Sequence, residues 1–394
     1  MQISKQKISL GFKRAFKTQL AAALLLTSFV PHTLAAEAQI APAPNLAVKA
    51  YLLKDLNSGF IIAEQQGNMR VEPASLTKIM TAYLSFKALK NGHLKLTQTL
   101  PVSEVALKVE GSRMFIEPRI PVTVDELLHG MIIQSGNDAS IALAEGIAGT
   151  EAQFADMMNK EAQRLGMKNT HYVNATGLPD PQHYTTATDL ALLAGALIHD
   201  FPEDYQRLYS VKEYTYNKIK QQNRNRLLWL DPNVDGMKTG HTESAGYCLI
   251  ASAKRDGVRR LSVVLGAAND AARASESQKL LNYGFQFYDT STVYKQGQTI
   301  NQLKIWKGVE DQVASTLAQD YLITLPKGEY NNVKQVISST QPLIAPIKKG
   351  QVIGNVKFTL NGKVIDERPL VAAKSIEAAG IFGRAWDSIK LLLQ

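Results

Sequence analysis

A serine hydroxyl is a poor nucleophile until a neighbouring base takes its proton. Residues 70–80, RVEPASLTKIM, place Ser75 three positions ahead of Lys78, a spacing that puts both on one face of a helix. A lysine is a base only when neutral. Its free pKa is near ~10.4, so the fold must depress it by burial or with another cation. Such a site calls for a second lysine, a second hydroxyl and a side-chain amide. QSGND supplies Ser135 and Asn137 at the junction of two helices, a break that can point both side chains into one cleft. DGMKTGHTESAG supplies Lys238, Thr239 and Gly240 at the start of a strand-like run. Gly240 is expected to let a ligand backbone approach closely. Singly, each piece has an ordinary use: Ser75 as a helix-start residue, Asn137 as a cap, Lys238–Gly240 as a turn. Together, in the order Ser-x-x-Lys, Ser-x-Asn, Lys-Thr-Gly, they describe a site for acyl transfer. A second Ser-x-x-Lys, at Ser4 and Lys7, falls in a segment expected to be discarded. No Gly-x-Ser-x-Gly elbow, His-Glu-x-x-His pair or phosphate loop competes, and the seven histidines lack zinc-site spacing.

These residues need a scaffold. AVKAYLLKDLNSGFIIAEQ predicts two strands around a turn at Asn57-Ser58-Gly59. A helix is expected from Ser75 to about Asn91, ended by Asn91-Gly92. Thr123 and Glu126 form a capping box that starts a helix near Val124, which stops at QSGN. Asn137 is placed to cap the next helix; a third ends at Gly166, and a fourth is entered through Thr186 and Asp189. GYCLIASAKRDGVRRLSVVLGAA then predicts two strands joined at Asp256-Gly257, followed by a helix over roughly 273–288. Strands flanking a helical middle imply an α+β fold, an antiparallel sheet with helices against it. After about residue 298 the chain reads as short β runs with Lys-Gly and Asn-Gly turns, a separate small all-β domain of about 75 residues.

The ends carry a different message. Lys5, Lys7, Lys13, Arg14 and Lys17 precede an apolar run, Leu20 to Val30, and then PHTLAAEA, with no acidic residue before Glu37. This is the three-part pattern of an export signal, cleaved after Ala36 or Ala38; the run is too short to span a bilayer comfortably. Five of the nine net positive charges lie in that segment. The remainder is mildly basic, which does not argue for a nucleic-acid partner. One cysteine, Cys248, cannot form an internal disulfide and reads as a small buried hydrophobe. At the other end, IEAAGIFGRAWDSIKLLLQ places Phe382, Trp386, Ile389 and Leu393 on one helical face, with Arg384 and Asp387 away from it and Leu391 breaking the pattern. The pattern fits an interfacial helix on a membrane or a terminal helix packed on its own domain.

With these motifs the chain resembles the penicillin-binding proteins and class A β-lactamases. Within that group it is similar to D-alanyl-D-alanine carboxypeptidases of the penicillin-binding protein 5/6 type, a β-lactamase/transpeptidase-like fold. The resemblance rests on EPASLTKIMTAY, MIIQSGNDASIALAE, VDGMKTGHTESAGYCL, ESQKLLNYGFQFYD with the preceding Arg273, the β run GQVIGNVKFTLNGKVIDERPLV, and the amphipathic tail. It implies an organisation of signal peptide 1–36, serine peptidase domain 37–298, β domain 299–373 and membrane-anchoring helix 374–394. It also implies roles. Ser75 resembles the acylated nucleophile, Lys78 its base, and Ser135 the proton relay to the leaving D-alanine. Asn137 would hold the substrate's peptide carbonyl. Lys238 and Thr239 would face the terminal carboxylate, with Lys238 helping to keep Lys78 neutral, and Arg273 would lie near that carboxylate. His241 would pair its backbone N–H with that of Ser75 as an oxyanion hole. The implied partners are peptidoglycan stem peptides, β-lactams and a membrane surface at the outer face of the inner membrane; no metal or other cofactor is required. Alternatives are a cross-link endopeptidase, a β-lactamase and a non-catalytic wall-binding scaffold. Between Asn137 and Lys238 there is no Glu-x-x-Leu-Asn pattern of the kind that resembles a β-lactamase.

Overall fold

The computed structural model describes residues 42–393. The expected export signal lies outside them. The centre is a five-stranded antiparallel sheet in the order Ile61–Gln65, Ala50–Asp55, Val258–Ala267, Gly246–Arg255, Val234–Thr242. Alternation along Ala50–Asp55 explains the layering. Ala50 and Leu52 face a core shared with the helices Lys78–Lys90, Asn137–Ala148, Glu151–Arg164 and Ala187–Asp200. Tyr51 and Leu53 face a second core with Leu280 and Leu281 of the long helix Asp270–Phe287. Because both faces are covered, the central strands read as nearly continuous apolar runs. Cys248 sits in one of them, buried, and burial pushes its thiol up.

The expected helix signals appear in place. Thr123 and Glu126 complete a capping box, and Thr186 accepts from the Asp189 amide. Asp256 and Gly257 both take positive φ, 50° and 82°, which makes the expected tight turn between the last two long strands.

Beyond the long helix the sheet changes. Tyr288–Tyr294 pairs with Tyr321–Pro326, ahead of the boundary expected near 298. The helix simply runs into this strand without a composition break. A six-stranded sheet follows, ordered Val333–Ser339, Val352–Leu360, Lys363–Ala372, Gln312–Thr316, Asn301–Trp306, Leu343–Ile344. The two parts meet at a buried ion pair, Arg260 with Asp55 at 2.8 Å. Thr290 donates to the same Asp55 carboxylate at 2.8 Å, and Arg260 donates to the Tyr288 carbonyl at 3.2 Å. The last helix, Ile381–Leu392, buries none of its residues. Phe382 is 92% exposed and Trp386 60%. Asp387, on the opposite side, accepts from the Lys307 amide at 2.6 Å. The apolar face is therefore turned away from the β domain. No helix among the described residues is long and apolar enough to cross a membrane.

Candidate active site

Ser75 lies in a single tight turn, Ala74–Thr77, that leads directly into the helix Lys78–Lys90. Ala74 takes a φ of +48°, so the chain bends sharply just before the serine. The turn brings Lys78 Nζ to 3.0 Å from Ser75 Oγ. Lys78 is 1% exposed. Its Nζ also lies 2.7 Å from Asn137 Oδ1 and 2.6 Å from the Thr176 carbonyl oxygen. Asn137 Nδ2 donates to the Glu110 carbonyl at 2.6 Å, which fixes the amide with its oxygen toward the lysine.

This arrangement serves either protonation state. An ammonium has three hydrogens for three acceptors. A neutral amine has two, and Asn137 Oδ1 and Thr176 O have no proton to offer, so they take both. The lone pair is then left for Ser75, whose hydroxyl is the one partner able to donate. The geometry would let the serine proton pass to Lys78 without any side chain turning. Burial is the main reason that Lys78 is pushed down to about 7, with the Arg224 guanidinium second; Asp138 and Glu151 oppose the shift.

The helix Val124–His129 widens into Gly130–Gln134 and breaks at Ser135, whose φ of +69° is left-handed. Ser135 is buried and its Oγ has no hydrogen-bond partner. A strained residue with an unmatched hydroxyl suits a group that acts on a ligand. Asn137 does not cap the following helix. Gly136 holds that position and Asn137 is the first helical residue, which frees its amide to reach Lys78. Asp138 gathers the amides of Met114 and Phe115 at 2.9 Å each, holding the loop that includes Glu110.

Lys238, Thr239, Gly240 and His241 lie on the edge strand Val234–Thr242. A Cβ on Gly240 would meet Pro73 O at 3.1 Å and Leu76 Cγ at 3.2 Å. The glycine thus lets the strand lie against the turn that carries Ser75, a packing need beyond the ligand approach expected from the motif. Lys238 is buried, with Nζ 3.1 Å from the Thr239 carbonyl. Burial pushes it well down, followed by Lys78, Arg224 and Arg273. Lys78 and Lys238 repel each other, as expected, and Arg224 adds a further cation that acts on both. Arg273 donates to the Gly240 carbonyl at 3.2 Å, pairs with Asp270, and lies 5.4 Å from the Tyr247 ring centre. Tyr247 also packs on His241, ring centres 4.0 Å apart.

Ser75, Ser135, Asn137, Thr239, Gly240, His241 and Arg273 all line one cleft of about 610 Å³. Lys78 and Lys238 lie buried beneath it, so all nine expected residues converge. Four others escaped the sequence. Arg224 lines the cleft from an irregular stretch, QQNRNRL, with no pattern to mark it. Tyr247 falls within an apolar strand run. Thr176 acts through its backbone, which carries no residue signature. Gly177, at φ +84°, packs so closely that a Cβ would overlap the Ala74 carbonyl oxygen; its position in NATGLPD signals only a turn.

A family model described as D-alanyl-D-alanine carboxypeptidase matches residues 37–269, and one described as penicillin-binding protein 5, C-terminal domain, matches residues 288–378. The D-alanyl-D-alanine carboxypeptidase DacC of Escherichia coli is 45% identical over 94% of each chain. DacA of the same organism is 40% identical over 89% of this chain and 88% of its own. The crystal structure of penicillin-binding protein 5 from Haemophilus influenzae superposes with a TM-score of 0.83 at 40% identity, covering 86% of this chain and 99% of that one. Penicillin-binding protein D2 from Listeria monocytogenes, solved in its ampicillin-bound form, covers 62% of this chain and all of its own at 32% identity and a TM-score of 0.58. With a family model spanning more than half its length and relatives matched nearly end to end, the chain belongs to the D-alanyl-D-alanine carboxypeptidases, serine enzymes that here carry a penicillin-binding protein 5 type C-terminal domain.

Proposed function

We propose that this chain removes the terminal D-alanine from peptidoglycan stem peptides through an acyl-enzyme on Ser75. The observation that carries the reading is the Lys78 amine, with two of its partners fixed acceptors and the third the Ser75 hydroxyl at 3.0 Å. Lys78 takes the Ser75 proton as Oγ attacks the carbonyl of the last peptide bond. The oxyanion meets the backbone N–H groups of Ser75 and His241, donors that typically matter at about 10²–10³ in rate each. As the C–N bond breaks, the proton held by Lys78 moves through Ser135 to the leaving amine, D-alanine departs and Lys78 is neutral again. Water then attacks the Ser75 ester, giving its proton to Lys78, which returns it to Ser75 Oγ as the ester C–O bond breaks, and the shortened peptide leaves with a new carboxylate. Asn137 holds the substrate's peptide carbonyl. The substrate's terminal carboxylate sits against Thr239 and Arg273, and its negative charge draws a proton back onto the buried Lys238 below. A β-lactam is attacked by Ser75 in the same way.

The decisive assay uses the full chain, purified in detergent, with a peptide ending in D-Ala-D-Ala and a Ser75→Ala control. Release of D-alanine by the unaltered chain alone is the expected result. No release from the folded chain overturns the reading in favour of the endopeptidase or the scaffold.

A second reading concerns place. We propose that residues 1–36 direct export and that the terminal helix lies in the outer face of the inner membrane. The exposed Phe382, Trp386 and Ile389 support this, since an unpartnered apolar face of this size suits an interface between water and lipid. A chain ending near Ala373 is expected in the soluble periplasmic fraction. Its retention in membranes would show that the helix is not the anchor.

A further inference from the structure

We infer that His183 is a positioning residue for Lys78: through Thr77 it clamps the 173–178 segment, which supplies the Thr176 carbonyl, onto the nucleophile turn. The inference rests on the proposed roles of Ser75 and Lys78. His183 is buried, and its Nε2 lies 2.8 Å from Thr77 Oγ1, the residue immediately before Lys78. Its Nδ1 accepts from the Val173 amide at 3.2 Å. An accepting Nδ1 requires the proton on Nε2, so Nε2 donates to the Thr77 hydroxyl. One imidazole thus ties the nucleophile turn to the start of the segment that faces it.

The same segment is held elsewhere along its length. Thr81 Oγ1 donates to the Ala175 carbonyl at 2.8 Å, and Glu151 accepts from the Ala175 amide at 2.9 Å. Asn174 Oδ1 accepts from the Gly177 amide at 2.7 Å. What these contacts fix is the Thr176 carbonyl, 2.6 Å from Lys78 Nζ. That oxygen is one of the two acceptors that orient the neutral amine toward Ser75. If the segment shifts, the amine loses its orientation and water reaches the lysine.

Charge agrees with this role. Burial pushes His183 down to about 4, so the ring is neutral wherever the site works. The titratable groups that face it are Asp180, His171, Glu72 and Lys78. Those acting on Lys78 are Arg224, Asp138 and Glu151, and Lys78 in turn acts on Lys238. A neutral imidazole adds no further cation beside the base, and it cannot itself serve as the base because both nitrogens are engaged.

The test compares His183→Leu, His183→Gln, Thr77→Val and the Leu/Val double variant in the full chain. Acylation by a fluorescent penicillin is measured against pH, alongside thermal melting. Leucine offers neither bond; glutamine offers a donor and an acceptor. For His183→Leu the expected result is a roughly 30-fold slower acylation per folded molecule, the scale of an ångström-level misplacement, and a midpoint moved to higher pH as Lys78 becomes hydrated. His183→Gln should stay within about threefold of the unaltered chain and keep its midpoint. Thr77→Val should reproduce His183→Leu, and the double variant should add little to either, as coupled residues do. If His183→Leu fails to fold, Thr77→Val decides alone. Unchanged rates and midpoints in the folded variants overturn the inference while leaving Ser75 as the nucleophile. Absence of labelling in the unaltered chain overturns both readings together.

Discussion

The fold and the reaction are tied through pH by Lys78, the proposed base. Unfolded, its amine holds a proton up to about pH 10.4; buried beneath the cleft, it does so only up to about 7. At ~1.36 kcal/mol per unit, the difference makes the charged form about 5 kcal/mol less favourable in the folded chain. The reactive population follows. At pH 7 an ordinary lysine is neutral in roughly one molecule in a few thousand, whereas Lys78 is neutral in about half. Burial therefore raises the supply of base by about a thousandfold. The second-order rate of Ser75 acylation by a fluorescent penicillin should fall about tenfold per pH unit below a midpoint near 7 and level off above it. Arg224→Gln removes a cation that holds Lys78 down and should move the midpoint upward. The sign for stability is the same. Between about 7 and 10.4 the unfolded chain binds the extra proton, so this group's contribution to stability rises with pH across that window. A rate that is flat from pH 5.5 to 8.5, or a limb centred above 9, would refute the assignment of Lys78 as a base tuned by burial.

Three further outcomes follow from other parts of the structure. Gly177→Ala should cost about 3 kcal/mol or more and sharply slow acylation, because any Cβ there overlaps the Ala74 carbonyl; Gly257→Ala, at φ +82° with nothing within 4 Å, should cost only about 1–2 kcal/mol in the same denaturant titration. Asp55→Asn, which strands a buried guanidinium at the junction with the β domain, should destabilise by about 3–5 kcal/mol; a melting curve unchanged from the unaltered chain would contradict it. His183 is pushed down to about 4 against an unfolded value near ~6.5, so its contribution is full above that value and is lost as pH falls toward 4. The loss approaches about 3 kcal/mol, and acid titration of His183→Gln should lack it.

The element types were legible because they depend on local periodicity. The Thr123 and Glu126 capping box, the Thr186 cap and the Asp256-Gly257 turn each involve residues at most three apart, and each forms where the pattern places it. The missed sheet change at Tyr288 has the opposite character: the pairing of Tyr288–Tyr294 with Tyr321–Pro326 spans a composition that alters only later. Asn137 was legible as a residue type and misleading as a local cap, since Gly136 takes the cap and the amide answers a lysine 59 positions away.

By itself the sequence determined which chemical groups the site owns. Ser75, Lys78, Ser135, Asn137 and the Lys238–Gly240 run are set by motif spacing, and the helix and strand periods place them at element ends. Only the tertiary structure decided how those groups are tuned. The Thr176 carbonyl that orients Lys78 comes from 98 residues along the chain and is a backbone atom that any residue type would supply. The Arg224 charge reaches it from a stretch without pattern. The closeness of the edge strand to the turn that carries Ser75 depends on an absent Cβ at Gly240. Desolvation and Coulomb interactions act through space, and only the folded chain sets the burial and distances on which they depend.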